Sequence, residues 1–350
     1  MKAAVLYGNE DIRYGDWPTP EVRPGAVKIA VKASGICGSD VPRVLHGGAH
    51  RYPIVLGHEF AGVVCETGEG VTKIRPGDTV TVAPRIPCFA CDDCLAGNIA
   101  QCKRDSFIGS REQGSFAEYI VAPEKNVVPY DPSVPFEIAV FFEPATVALH
   151  GVRNVGFDGG GNVAVIGAGT IGLFVVQWAK MLGARRVAAF DVDPARLSQA
   201  RALGADRAVD SGGPDWEANA ASLTDGKGFD WVFDAAGNNA TLRASLRLAA
   251  AKAKISLIGT PQEGVSFSKD EWELINRKEL WIRGCWQSYS LPFPGAEWDM
   301  TARAFGDGSL KADESFIFRK YPLADAAEAF GLFKNPAQVH GKVLLINEDK

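Results

Sequence analysis

No apolar run in this chain approaches the roughly 20 residues of a membrane-spanning helix, so no membrane partner is expected. The opening Met1-Lys2-Ala3-Ala4-Val5-Leu6-Tyr7 is too short an apolar stretch for a secretory leader before Gly8-Asn9-Glu10-Asp11. A cytoplasmic protein is therefore expected, whose 7 cysteines stay reduced or bind metal. Basic excess is missing too. Lys and Arg number 37 against 42 Asp and Glu, a net charge of −5, which gives no footprint for nucleic acid. Internal repeats and low-complexity tracts are also absent. What remains is a globular chain whose 350 residues suffice for about two domains.

The most informative stretch is Val163–Gly172, an apolar run that ends in Gly167-Ala168-Gly169-Thr170-Ile171-Gly172. Gly167 permits a tight strand-to-helix turn, Gly169 lets a pyrophosphate approach the backbone, and Gly172 lets helix and strand pack closely. The helix expected from Ile171 to Leu182 would turn its free N–H groups toward the phosphates. A second strand, Arg186–Phe190, leads to Asp191, placed as expected for an acid that holds ribose hydroxyls. Asp191 and Asp193 would repel a 2′-phosphate, so NAD is favoured over NADP.

Before residue 132 the chain reads as short strands, such as Val27–Ala33 and Thr79–Val82, between Gly- and Pro-rich turns. Helical patterns follow at Phe136–Phe142 and Ala145–Val155. From Asn162 to Trp286 strands and helices alternate, with strands expected at Asn162–Ile166, Arg186–Phe190, Ala208–Val209, Trp231–Phe233, Ile255–Ile258 and Leu280–Cys285. That alternation predicts a parallel sheet covered on both faces. Two further helical stretches precede a closing strand, Lys342–Ile346, expected to return to the first domain.

Cys88-x-x-Cys91-x-x-Cys94-x₇-Cys102 has the spacing of a closed tetrahedral site, assigned to structural zinc. Cys₄ ligation alone does not distinguish zinc from an iron–sulfur cluster. Cys65 and Cys285 each stand alone in an apolar run and read as buried thiols without chemistry.

A second, open metal site is expected from Cys37, His58 and Glu143. Glu143 and His150 are the only ionisable residues between Ile138 and Val152, and a carboxylate buried there requires a partner. Pro144 predicts a helix break at Glu143 that turns the side chain inward. Thiolate, imidazole and carboxylate suit zinc and leave a fourth position for substrate. Glu59 is a candidate alternate ligand or partner of a metal-bound water. Asp40 is a candidate partner for the far nitrogen of His58.

Through Gly35–Asp40, Gly57-His58-Glu59, Cys88–Cys102, Phe142-Glu143-Pro144, Gly167–Gly172 and Asp191, the chain resembles the zinc-dependent medium-chain dehydrogenase/reductase family over its full length. Cys37–Arg43, Gly48-Ala49-His50, Phe107–Arg111 and Gly284–Glu297 are similar to its polyol branch. The resemblance implies an α/β and β fold: a GroES-like β-barrel catalytic domain over 1–152, a doubly wound Rossmann NAD-binding domain over 153–286, and a return segment over 287–350. It implies two zinc ions per chain, NAD, Ser39 as proton relay, and Gly169, Thr170 and Ile171 at the pyrophosphate. Asp191 would hold the adenosine ribose, Arg196 would lie by the adenine and Ile258 would approach the nicotinamide side. It also implies a homo-oligomer, dimer or tetramer.

The implied reaction is oxidation of a secondary alcohol of a small polyol or polyol phosphate, with galactitol 1-phosphate to tagatose 6-phosphate the leading candidate. Sorbitol, galactitol, altritol or xylitol is the alternative. Arg43, His50, Arg51, Arg111 and Trp286 are candidate substrate contacts. Some relatives carry an imidazole a few residues beyond the serine as proton exit. Here Pro42 and Arg43 stand there, so the proton is expected to leave through water or a cofactor hydroxyl. Gln287-Ser288 replace an Arg-Tyr pair of sorbitol dehydrogenases.

Overall fold

The computed structural model describes residues 1–347. The chain forms two compact units: Met1–Glu143 joined by the stretch from Ser288 onward, and Pro144–Gln287.

The first unit is β-rich and is built around the strand Ala26–Gly35, whose Val27, Ile29, Val31 and Ala33 alternate into the core. The strand Glu59–Thr67 runs antiparallel along one side of it. On its other side Tyr119–Pro123 pairs with its first half and Lys342–Ile346 with its end. These strands belong to a seven-stranded sheet completed by Thr79–Val82, Val127–Pro129 and Ile317–Pro322. The closing strand thus returns to the first unit, as its sequence predicted. Ile317–Pro322, which pairs parallel to it, was not expected.

Register places the site. Gly35 lies opposite both Glu59 and Leu344, and the Ile36 N–H donates to the Val343 carbonyl at 2.9 Å. Just past Gly35, Cys37 therefore meets the His58–Glu59 corner and the start of the last strand. An added Cβ at position 35 would lie 2.8 Å from a Glu59 carboxylate oxygen and 3.2 Å from Lys342 Cδ, so a larger residue would have to displace that pair.

Two expectations need correction. The helix does not break at Glu143: it runs Phe142–Asn154, through Glu143 and Pro144, after a short helix Phe136–Ala139. Proline costs little in a first turn, where its missing N–H would have no intrahelical partner. Nor is Cys65 buried. Along Glu59–Thr67 Val64 points into the core, so Cys65 faces the opposite, solvated side; Cys285 is half-buried.

The second unit contains a six-stranded, all-parallel sheet in the order Arg207–Asp210, Arg186–Asp191, Asn162–Ile166, Phe229–Asp234, Ala249–Leu257, Trp281–Gly284. The expected strands are all present. Asn162–Ile166 is buried throughout, as a central strand covered on both faces must be. Chain order reverses direction between Asn162–Ile166 and Phe229–Asp234, and the crevice beyond such a switch point is where open α/β sheets take ligands. Gly167 has φ +89°, and a Cβ on Gly172 would lie 1.8 Å from the Gly167 carbonyl oxygen. Gly172→Ala is expected to lower stability by about 2 kcal/mol through overpacking at this turn. Denaturant unfolding checks it, and a variant as stable as the wild type would contradict the packing argument.

Candidate functional site

Cys37, His58 and Glu59 bring one ligand atom each to within 4.8 Å of one another. His58, Glu59 and Asp40 are buried, and Cys37 is half-buried. Asp40 opens the short helix Asp40–Leu45; its Oδ2 accepts from the Cys37 N–H at 3.1 Å. Its Oδ1 lies 3.6 Å from His58 Nδ1, which has no hydrogen-bond partner among the described residues. That face of the imidazole is turned to Asp40, which leaves Nε2 for a metal. Burial alone would lower the His58 imidazole, but Asp40 and Cys37 overturn it and hold the ring well above its ordinary range.

Glu143 stands outside the tight triad but inside its field. Burial pushes its carboxyl up to about 7, against His58 and with Glu59 adding to the rise. Cys37, Asp40, Glu59 and Glu143 set a thiol and three carboxyl groups around His58, with Lys342 on Glu59 and Arg43 on Asp40. Thiolate, imidazole and carboxylate are the donors that zinc takes.

Sequence reading missed Lys342. Its Nζ sits 2.5 Å from Glu59 Oε2, and its side chain is only 10% exposed. Burial lowers the ammonium, and Glu59 and Cys37 more than restore it. Phe107 was named only as part of a resembling segment; its ring packs edge-on to His58, with centroids 5.5 Å apart. Arg85 donates to the Cys102 carbonyl at 3.3 Å and lies 3.4 Å from Asp105, which in turn holds Arg111 at 3.3 Å. The Arg85 N–H donates to the buried Tyr289 hydroxyl at 3.3 Å. No local motif marks Lys342, Arg85 or Asp105.

Ser39, exposed, donates through Oγ to Cys37 Sγ at 3.4 Å. Arg43 Nη1 donates to Ser39 Oγ at 2.8 Å and to the Ser39 carbonyl at 2.6 Å. His50 is lowered first by burial and then by the positive charges of Arg111 and Arg43. Three of the four basic residues read from the sequence thus act on one another, while among the described residues no hydrogen bond or ion pair ties Arg51 to them. Trp286 is 55% exposed and belongs to the other unit.

The expected cysteine cluster is assembled. Cys88, Cys91, Cys94 and Cys102 lie within 4.8 Å of one another, with Sγ–Sγ distances of 4.0 Å (Cys88–Cys94) and 3.9 Å (Cys91–Cys102). A tetrahedron with zinc–sulfur bonds of about 2.3 Å has sulfur–sulfur edges of about 3.8 Å. Backbone N–H groups lower the Cys88 thiol to about 6, while burial pushes Cys94 up to about 12. A metal would let all four ionise together.

In the second unit Gly169 caps the helix Thr170–Met181 without a side chain, and a Cβ built on it meets nothing within 4 Å. That open space, facing a helix start whose capping residue lacks a side chain, is what a pyrophosphate requires. Thr170, Ile171 and Gly172 form the first turn of that helix. Asp191 ends its strand with Oδ2 accepting from Ala168 N–H at 2.7 Å and Oδ1 accepting from Val192 and Asp193 N–H groups. Arg196 approaches Asp191 at 3.9 Å and Asp193 at 3.6 Å. Ile258 follows the fifth strand, its N–H bonded to the Asp234 carbonyl.

The two metal clusters predict two zinc ions per chain. Metal analysis should find one in Cys94→Ser and one in His58→Ala, the latter inactive yet still binding NAD. A fully active His58→Ala would exclude the open site.

Comparison with known proteins shows the family. The family profile of the alcohol dehydrogenase GroES-like domain matches residues 23–132, and that of zinc-binding dehydrogenases matches residues 170–302. Galactitol 1-phosphate 5-dehydrogenase of Escherichia coli (strain K12) is 37% identical over 347 residues, 99% of this chain and 100% of the relative. The crystal structure of galactitol-1-phosphate dehydrogenase from Escherichia coli superposes with a TM-score of 0.93 at 36% identity, covering 99% and 100% of the two chains. Sorbitol dehydrogenase of Bacillus subtilis (strain 168) is 31% identical over 268 residues, 75% of this chain and 76% of the relative. A zinc-binding dehydrogenase from Sinorhizobium meliloti 1021, solved with NADP, has a TM-score of 0.89 at 32% identity, covering 99% and 98%. The chain belongs to the zinc-dependent medium-chain dehydrogenases, enzymes that join a GroES-like domain to a Rossmann domain and use zinc with a nicotinamide dinucleotide.

Proposed function

We propose that this dehydrogenase oxidises a secondary alcohol of a phosphorylated polyol with NAD, with galactitol 1-phosphate to tagatose 6-phosphate the leading reaction. One observation carries the phosphate: Arg43 lies against Ser39, and the charges of Arg43 and Arg111 both act on His50. His50 and the Nε and Nη2 atoms of Arg43 have no hydrogen-bond partner among the described residues. Donors of this kind suit a phosphate monoester, which accepts several charge-assisted bonds at once. The Escherichia coli relative that acts on galactitol 1-phosphate supports the same choice. NAD is preferred because Asp191 and Asp193 place two carboxylates where NADP would bring its 2′-phosphate.

In this reading residues 1–152 and 287–350 carry the chemistry and residues 153–286 the cofactor. Cys37, His58 and Glu143 would hold the catalytic zinc, with Glu59, which lies within ligand distance of Cys37 and His58 and is gripped by Lys342, as alternate ligand. The zinc supplies Lewis acidity to a carbinol hydroxyl, and the dinucleotide supplies the hydride acceptor. Asp40, 3.6 Å from His58 Nδ1, orients the imidazole by charge. Ser39 Oγ takes the carbinol proton and hands its own to water or a cofactor hydroxyl. Gly167, Gly169, Thr170, Ile171 and Gly172 seat the pyrophosphate, Asp191 the ribose, and Arg196 the adenine. Ile258 lines the nicotinamide side. The enzyme works in the cytoplasm as a homo-oligomer, paired through the edge strand Trp281–Gly284, whose residues are all exposed. Light scattering of the holoenzyme reads that assembly; a monomer would contradict it.

The test is a panel of galactitol 1-phosphate, galactitol, altritol, sorbitol and xylitol followed by NADH absorbance. With two or more charge-assisted bonds to the phosphate, kcat/KM for galactitol 1-phosphate should exceed that of galactitol about 100-fold or more. Equal values would remove the phosphate reading and leave an unphosphorylated polyol as substrate.

A further inference from the structure

We infer that Arg43 couples capture of the substrate's anionic group to release of the Ser39 hydroxyl, which, resting on the phosphate reading above, makes the relay open only when a phosphorylated polyol is bound. A serine hydroxyl has one hydrogen to donate and two lone pairs to accept with. In the structure the hydrogen is directed to Cys37 Sγ at 3.4 Å, and one lone pair accepts from Arg43 Nη1 at 2.8 Å. The same nitrogen holds the Ser39 carbonyl at 2.6 Å, so backbone and hydroxyl are gripped together. The relay proton therefore faces a metal-ligating sulfur instead of an acceptor leading to water.

Arg43 cannot itself carry the proton, because a guanidinium stays protonated at any working pH. It can only hold Ser39 or let go. Its side chain is pulled two ways. Asp40 Oδ1 lies 3.5 Å from Nη1 on the buried side. Toward solvent, its charge reaches His50, which Arg111 also faces. Arg111 is in turn anchored to Asp105, and Asp105 to Arg85. The anchored neighbours mark where an incoming anion collects, and Arg43 is the member of that cluster in contact with the relay. A phosphate that pairs with the free Nε and Nη2 edge draws the planar guanidinium outward as a unit, and its full negative charge outweighs the neutral hydroxyl and carbonyl held by Nη1.

Each turnover sends one hydride from the carbinol carbon to the nicotinamide and one proton to water. Ser39 Oγ forms its bond to the carbinol proton as its original O–H bond breaks toward water, so the serine ends as it began. A free polyol brings no anion and leaves the hydroxyl clamped.

The experiment compares wild type, Arg43→Met and Arg43→Lys on galactitol 1-phosphate and galactitol at saturating NAD. Zinc content and melting temperature establish folding. Arg43→Met should lower kcat/KM for galactitol 1-phosphate about 100-fold while raising kcat for galactitol about tenfold, the sizes expected from losing phosphate bonds and one clamp. The solvent isotope effect on galactitol turnover should fall toward unity, and calorimetric binding of inorganic phosphate should disappear. Arg43→Lys should recover part of the phosphate binding. A wild type indifferent to phosphorylation would sink the phosphate reading and the coupling with it. A wild type that prefers the phosphorylated substrate, with Arg43→Met slower or unchanged on galactitol, would overturn the coupling alone.

Discussion

The structure depends on a cluster of ionisable groups packed into one small buried volume. Cys37, Asp40, Glu59 and Glu143 lie in one field, and Lys342 is the buried cation set against them. Buried charges persist only where they are paired and hydrogen-bonded, and Lys342 on Glu59 and Arg43 on Asp40 supply part of that pairing. The thiol, imidazole and carboxyl groups gathered there are of the kinds that zinc takes. Lys342 keeps Glu59 from being held by the metal alone. It also ties the end of the chain to its beginning: the two partners lie 283 positions apart and meet because both flank Gly35 in the sheet.

The cofactor unit works by a different economy of parts. Its phosphate cradle is backbone: a turn at Gly167, open space at Gly169 and the start of the helix Thr170–Met181. One acid, Asp191, both closes that turn by accepting the Ala168 N–H and presents a carboxylate at the end of its strand. The same side chain therefore shapes the loop and, in the proposed reading, faces the ribose. Coupling a structural role to a recognition role makes such a residue costly to exchange.

Much of this was legible in the sequence, for identifiable reasons. The cysteine spacing and the glycine pattern are local, so nearby residues carry the whole message, and the alternation of strands and helices from Asn162 to Trp286 announced the parallel sheet. Burial of Glu143 was readable because an acid in an apolar run stands out. Its local geometry was misjudged because a proline near a helix start is tolerated where one further along would not be. Lys342 was not legible at all. It opens an apolar strand as a surface lysine would, and only long-range pairing puts it beside Glu59. The Arg85–Asp105–Arg111 chain was hidden for the same reason: its links join residues of different loops through side chains without periodicity. Cys65 shows the opposite error, since apolar neighbours suggested burial where strand alternation decides.

The account stands most directly on where zinc sits in the crystallised holoenzyme. An anomalous difference map collected above and below the zinc edge should show two peaks per chain. One belongs among Cys88, Cys91, Cys94 and Cys102; the other should be bonded to Cys37 Sγ, a His58 nitrogen and a carboxylate of Glu143 or Glu59. A fully active crystal with a peak only in the four-cysteine cluster would contradict it.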